Sequence, residues 1–186
     1  MNLAEIYEST GRDAKGHLLR EEAVRIRSEG DQDPTLAMII HQSGMICLRS
    51  GRPQEALEHF QQSLQLRRSL FGQDHPEVAM AVGHLALAYL DLKDYPKVDE
   101  SMEMAWSISM RVLGEEHPQT LQFLAERGLH LVTTGADGRL PEGLEMVRKA
   151  HSLAENLALD ESVHEHLRSI RKAAEEIVRR RGGHVG

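Results

Sequence analysis

Aromatic residues are scarce in this sequence of 186 residues: one tryptophan, three tyrosines and three phenylalanines leave little stacking surface, so the core has to be packed from aliphatic side chains. Cysteine is scarcer still. Cys47 stands alone, which excludes an intrachain disulfide and a thiolate cluster for structural zinc, and suits a reducing compartment. Its setting, "GMICLRS", is an apolar helical run, the place of a buried inert thiol. Positive charge is in deficit, with 22 basic against 29 acidic residues and a formal net charge of -7. That balance supports solubility and argues against a nucleic-acid or anionic-membrane binder. Long apolar runs are missing too: no stretch approaches the roughly 18 residues of a membrane span. The start, "MNLAEIYEST", lacks the basic residues and apolar segment of a secretory signal, so the expected location is the cytoplasm, with no membrane partner. No segment sustains the alternation of a β-strand.

The chemistry-bearing patterns are absent as well. Eleven histidines invite a search for metal ligands, yet there is no "HExxH" or "HxxxH". His164 and His166 are two apart and face different directions on a helix, and His59, one turn from Glu55, has no third ligand. "GRDAKG" and "GADGRLPEG" contain glycines, but lack the preceding strand and the Lys-Ser or Lys-Thr of a triphosphate loop. There is no "GxSxG". The acid pairs Glu115 with Glu116 and Glu175 with Glu176 are adjacent and diverge, so neither is a general acid/base dyad. The reading is a protein without catalytic residues, metal or cofactor. The terminal run of Arg168, Arg171, Lys172, Arg179, Arg180 and Arg181 is interrupted by Glu175 and Glu176. It reads as a solvated helix face with favourable charge at a helix C-terminus.

What the sequence does contain is itself, repeated. Gly72, His75 and Pro76 in "FGQDHPEVA" return 42 residues later as Gly114, His117 and Pro118, and the same spacing backwards meets Gly30, Asp33 and Pro34. After each proline, apolar and small residues recur at helical spacing: Ala37, Ile40, Gly44, Cys47; Ala79, Val82, Ala86, Tyr89; Leu121, Leu124, Gly128, Leu131. Breaks at "RSGR", "LKD" and "TTGADG" lead into second helices carrying Ala56, Phe60 and Leu64, then Val98, Met102 and Trp106, then Gly143, Val147 and His151. The third set aligns only with three residues inserted in its loop, "TTGADGRLPEG".

Gly44, Ala86 and Gly128 share one repeat position, and Ala56 and Gly143 share another. A glycine inside a helix costs about 1 kcal/mol relative to alanine, so its reuse argues for close approach of antiparallel helices, with Phe60, Tyr89 and Trp106 filling the space beside them. The expected organisation is one domain over 1–186: an N-terminal partial repeat (1–30), repeats at 31–72, 73–114 and 115–159, then a capping helix and tail (160–186). In the last, Val163, Leu167, Ile170, Ala174 and Ile177 mark the face that would pack on the final repeat.

Paired helices with small residues at fixed places, and turns reading "SLFGQDHPEVA", "VLGEEHPQTL" and "SEGDQDPTLA", resemble the tetratricopeptide repeat (TPR), in the long form found in kinesin light chains. The usual TPR period is 34, and the extra residues here amount to about two helical turns shared between the helices. The resemblance implies an all-α fold: a right-handed superhelix of antiparallel helix pairs, whose first helices line a concave groove that accepts a peptide or protein segment. Carried over residue by residue, the implied groove positions are Met38, His41, Gln42, Met45 and Arg49; Met80, Gly83, His84, Leu87 and Asp91; Gln122, Ala125, Glu126, Leu129 and Thr133. Kinesin light chains place paired asparagines at two of these positions. This sequence departs from them with His41 and Gln42, Gly83 and His84, Ala125 and Glu126, so recognition of the kinesin-cargo kind is not implied. The methionines offer instead a pliant apolar floor for a helix or extended peptide. A second copy of the chain, giving a homodimer, is the alternative occupant.

The "HP" corners read as punctuation between helices. Gly72 suits a helix end and Pro76 a first turn. Asp74 followed by Glu77 has the spacing of a capping box, and His75 is expected to bond locally or pack on the next turn.

Overall fold

The structure, a computed structural model, describes residues 34–134 and 138–181. The expected partial repeat at 1–30, the central residues of the inserted loop (135–137) and the tail beyond Arg181 lie outside the described residues. The described chain forms α1 (Pro34–Arg49), α2 (Pro53–Phe71), α3 (Pro76–Asp91), α4 (Tyr95–Leu113), α5 (Pro118–Thr134), α6 (Leu140–Glu155) and α7 (Glu161–Arg180), with no strand among these residues.

Proline sets where the helices start. All six prolines of the sequence stand at the first or second residue of a helix, α1 to α6, where the missing N–H would have no intrahelical acceptor and the fixed φ is already helical. Glycine marks where several of them stop. Gly72 (φ 82°) and Gly114 (φ 88°) occupy the left-handed region and return their N–H to Arg68 and Met110 carbonyls. Within the helix pairs the turn residues are Gly51 (φ 71°), Lys93 (φ 60°) and Gly138 (φ 75°). The "HP" corners differ from the capping-box expectation in one respect: the N-cap of α3 is His75, not Asp74. Its Nδ1 accepts the backbone N–H of Glu77 at 3.2 Å while its ring stacks on Phe71 at 4.5 Å. His117 does the same for Gln119, at 3.2 Å. An imidazole nitrogen thus substitutes for the hydroxyl or carboxylate usual at this place.

The helices segregate into two compact units, divided between Ser101 and Met102 within α4. In the first, α1 and α2 form an antiparallel hairpin. Ser63 Oγ donates to the Ala37 carbonyl at 2.7 Å, and Gly44 faces the Phe60 ring so closely that a Cβ there would lie 2.6 Å from it. Phe60 is fully buried and, as the largest buried side chain, contributes about 2–3 kcal/mol of burial. Arg67 ties α2 to α3, donating to both the carbonyl and the carboxylate of Glu77 at 3.0 Å.

In the second unit, α5 and α6 meet backbone to backbone at the expected glycines. A Cβ on Gly128 would stand 2.5 Å from the Gly143 carbonyl oxygen, and one on Gly143 equally close to the Gly128 carbonyl. Val147 then fills the place that Phe60 takes in the first hairpin. Ser109 and Thr120 share a buried hydrogen bond of 2.8 Å between α4 and α5. Helix α7 buries Leu167, Ile170, Ala174 and Val178 against α5 and α6. Its other face carries charge paired along the helix: Arg168 with Glu161, Arg180 with Glu176, and Glu175 between Arg171 and Arg179.

Candidate partner-binding face

On the first unit, the carried-over positions are either exposed or half-buried. Gln42, Arg49 and Asp91 are exposed, and Met38 is 48% exposed despite its apolar side chain. Met45, Met80, Gly83 and Leu87 are half-buried. His41 and His84 are half-buried as well, and they pair with each other. Their rings meet edge to face with centroids 4.4 Å apart, bringing α1 and α3 together at this face. Both rest on Phe60 of α2, at 5.3 and 5.9 Å.

The tautomer of His84 follows from its contacts: Nδ1–H donates to the Met80 carbonyl at 2.8 Å, the i−4 carbonyl of its own helix, leaving Nε2 as an acceptor. His41 Nδ1 is sealed from water and has no hydrogen-bond partner. Burial, then the His84 ring, then the Arg67 guanidinium push the His41 imidazole down to about 3. Burial also lowers His84, partly offset by its bond to Met80. Both are therefore neutral at physiological pH.

On the second unit the picture differs. Ala125 is 1% exposed and closed to any ligand. Gln122 and Leu129 are half-buried, while Thr133 is exposed. Glu126 lies 3.4 Å from His166 of α7; burial pushes its carboxyl up and the histidine pulls it back. Arg181 at the end of α7 donates to the Thr133 carbonyl at 2.6 Å. The capping helix thus engages two of the positions expected to line a groove. The sequence reading also passed over Phe60 and Arg67 as supports of the face. Their signal was present: Arg67 continues the buried stripe of Ala56, Phe60, Ser63 and Leu64 at helical spacing, where a charged residue is unusual and 5% exposed.

Cys47 is 2% exposed. Among the described residues no three His, Cys, Asp or Glu side chains gather as a metal site, and no helix is long and apolar enough to cross a membrane.

Helical hairpins joined at Pro-led corners, with small residues where the helices touch and a polar-faced terminal helix, define an all-α repeat protein of the helix-pair class. A sequence profile of the tetratricopeptide repeat matches residues 1–69 and 35–107, more than half of the chain, and the chain belongs to that family. Among solved structures, BtubC (BKLC) from P. vanneervenii superposes over 99% of this chain and 80% of its own, with a TM-score of 0.72 and 18% identity. A kinesin light chain of nearly identical TPR-like repeats from Podosopora anserina does so over 95% and 89%, with a TM-score of 0.67 and 19% identity. In sequence, the clustered mitochondria protein homolog of Danio rerio is 30% identical over 112 residues, and that of Homo sapiens 28%. Those stretches cover 60% of this chain but only 8% of either relative.

Proposed function

We propose that this protein is a non-catalytic cytoplasmic scaffold that holds a peptide segment or helix of a partner protein against the first helices of its repeats. The observation that carries the reading is the face formed by α1 and α3. Met38, Met45, Met80 and Leu87 leave apolar surface open beside the His41–His84 pair, and Gln42, Arg49 and Asp91 are exposed. Unbranched methionine side chains adapt to partners of varied shape, and exposed polar residues can orient a backbone. Membership of the tetratricopeptide repeat family supports an interaction role. The paired asparagines of kinesin light chains are replaced here, so the specificity is this chain's own.

On the second unit, taken by itself, Gln122 and Leu129 are half-buried candidate positions and Glu126 is already held by α7. The test is to replace Met45 and Leu87 together by glutamate, and to compare the proteins retained from a lysate with those retained by the unchanged chain. The expected outcome is loss of the retained partner, by at least tenfold, with an unchanged helical circular dichroism spectrum. Equal retention by the variant removes the assignment of this face.

A further inference from the structure

Besides a surface, the first unit contains a pair of groups whose packing depends on their charge. His41 on α1 and His84 on α3 touch edge to face, and both lean on Phe60 of α2. Among the described residues, the charges acting on the pair are the buried guanidinium of Arg67 from α2 and the two rings themselves. The carboxylate facing this region from α3, Glu77, is already taken by Arg67 at 3.0 Å. His41 Nδ1 lies out of reach of water with no acceptor to receive a proton's hydrogen bond.

We propose that the His41–His84 pair is an acid-sensitive latch: α1 and α3 close over Phe60 only while both imidazoles are neutral, and protonation opens the first unit. A proton on His41 places a cation beside a second ring and a fixed guanidinium, with no partner for its Nδ1. The contact that holds the two helices becomes a repulsion. The latch stands whether or not a peptide occupies the face above it.

The direction in pH follows from linkage. The unfolded chain takes up these protons near the ordinary histidine value of about 6.5, whereas the folded unit resists them. The closed state is therefore fully favoured above that value and loses ground as pH falls below it. Each site shifts the opening equilibrium by at most about tenfold per pH unit. For His41 the window extends down to about 3.

Cys47, the sole cysteine, is buried on α1 and reports opening. Its labelling by 4,4′-dithiodipyridine in the full chain, expressed relative to the urea-unfolded chain at the same pH, is expected to rise more than tenfold from pH 7 to pH 5. In His41→Phe, which keeps a ring against Phe60 without a titrating nitrogen, the rise should be reduced by at least half. The same acid dependence in both proteins overturns the latch. Should the variant not fold, the NMR titration of the His41 ring in the unchanged chain decides. A resonance that stays neutral while the unit remains closed supports the proposal. A titration midpoint near 6.5 with Cys47 still protected refutes it.

Discussion

Two kinds of glycine do different work in this chain. Gly128 is needed for space: a methyl there would meet the Gly143 carbonyl, which is backbone and cannot swing aside. Gly51 is needed for conformation: its φ is 71° and nothing lies within 4 Å of an added Cβ. Replacing Gly128 by alanine is expected to cost about 1–3 kcal/mol through overpacking, although alanine is the better helix former by roughly 1 kcal/mol. Gly51→Ala should cost about 1 kcal/mol, all of it backbone strain. Urea unfolding of the two variants separates the mechanisms, and a stabilised Gly128→Ala would show that α5 and α6 can part without penalty. Gly128 and Gly143 were legible as contact points because their repeat positions hold small residues elsewhere. Phe60 as the neighbour of Gly44 was readable only as a large residue somewhere near. Which large side chain meets which small one depends on the crossing of two helices, and spacing along one of them does not contain that.

Among the helices, α7 has the clearest division of labour. Leu167 is 1% exposed and sits in the core with Ile170, Ala174 and Val178, whereas Lys172 is exposed. Leu167→Ala is expected to destabilise by about 2–4 kcal/mol, and Lys172→Ala by no more than about 0.5 kcal/mol. Hydrogen exchange checks both: the leucine variant should lose protection first in α7 and in the faces of α5 and α6 it covers. Equal effects of the two substitutions would mean that α7 is not docked through its apolar stripe. One polar contact between these helices carries a pH sign. Arg171 donates to His151 Nδ1 at 3.3 Å, and burial, then Arg171, lower the His151 imidazole, with Glu155 acting against them. That contribution to α7 docking is present above about 6.5 and weakens as pH falls below it. The amphipathic pattern of α7 was plain in the sequence. Its bonds to Glu126 and to the Thr133 carbonyl were not, because they join residues 40 and 48 positions apart.

For the whole molecule, the proposed face on α1 and α3 is read as taking a partner protein and not a second copy of the chain. Light scattering over a concentration series is expected to give a constant mass near 20.9 kDa. A mass that doubles with concentration would instead assign the face to a second copy. The family and the all-α fold were accessible from the 42-residue spacing of Gly72, His75 and Pro76 with Gly114, His117 and Pro118. The candidate face was accessible only in part: its positions came from the resemblance, whereas Ala125 proved buried and Glu126 proved engaged by His166.

By itself the sequence determined where helices begin, because proline and glycine act on their own backbone dihedrals within a residue or two. It also determined which stripe of each helix is apolar, since helical period is a local property. Local bonding by His75 was expected from the sequence, and the structure names the atom, Nδ1, through which His75 and His117 cap their helices; tertiary structure alone decided that Arg67 is buried against Glu77. It decided, too, that His41 and His84 stand ring against ring above Phe60. The Arg67 and His41–His84 contacts depend on rotamers and on the distances between packed helices, and there a shift of an ångström or two separates a contact from open solvent.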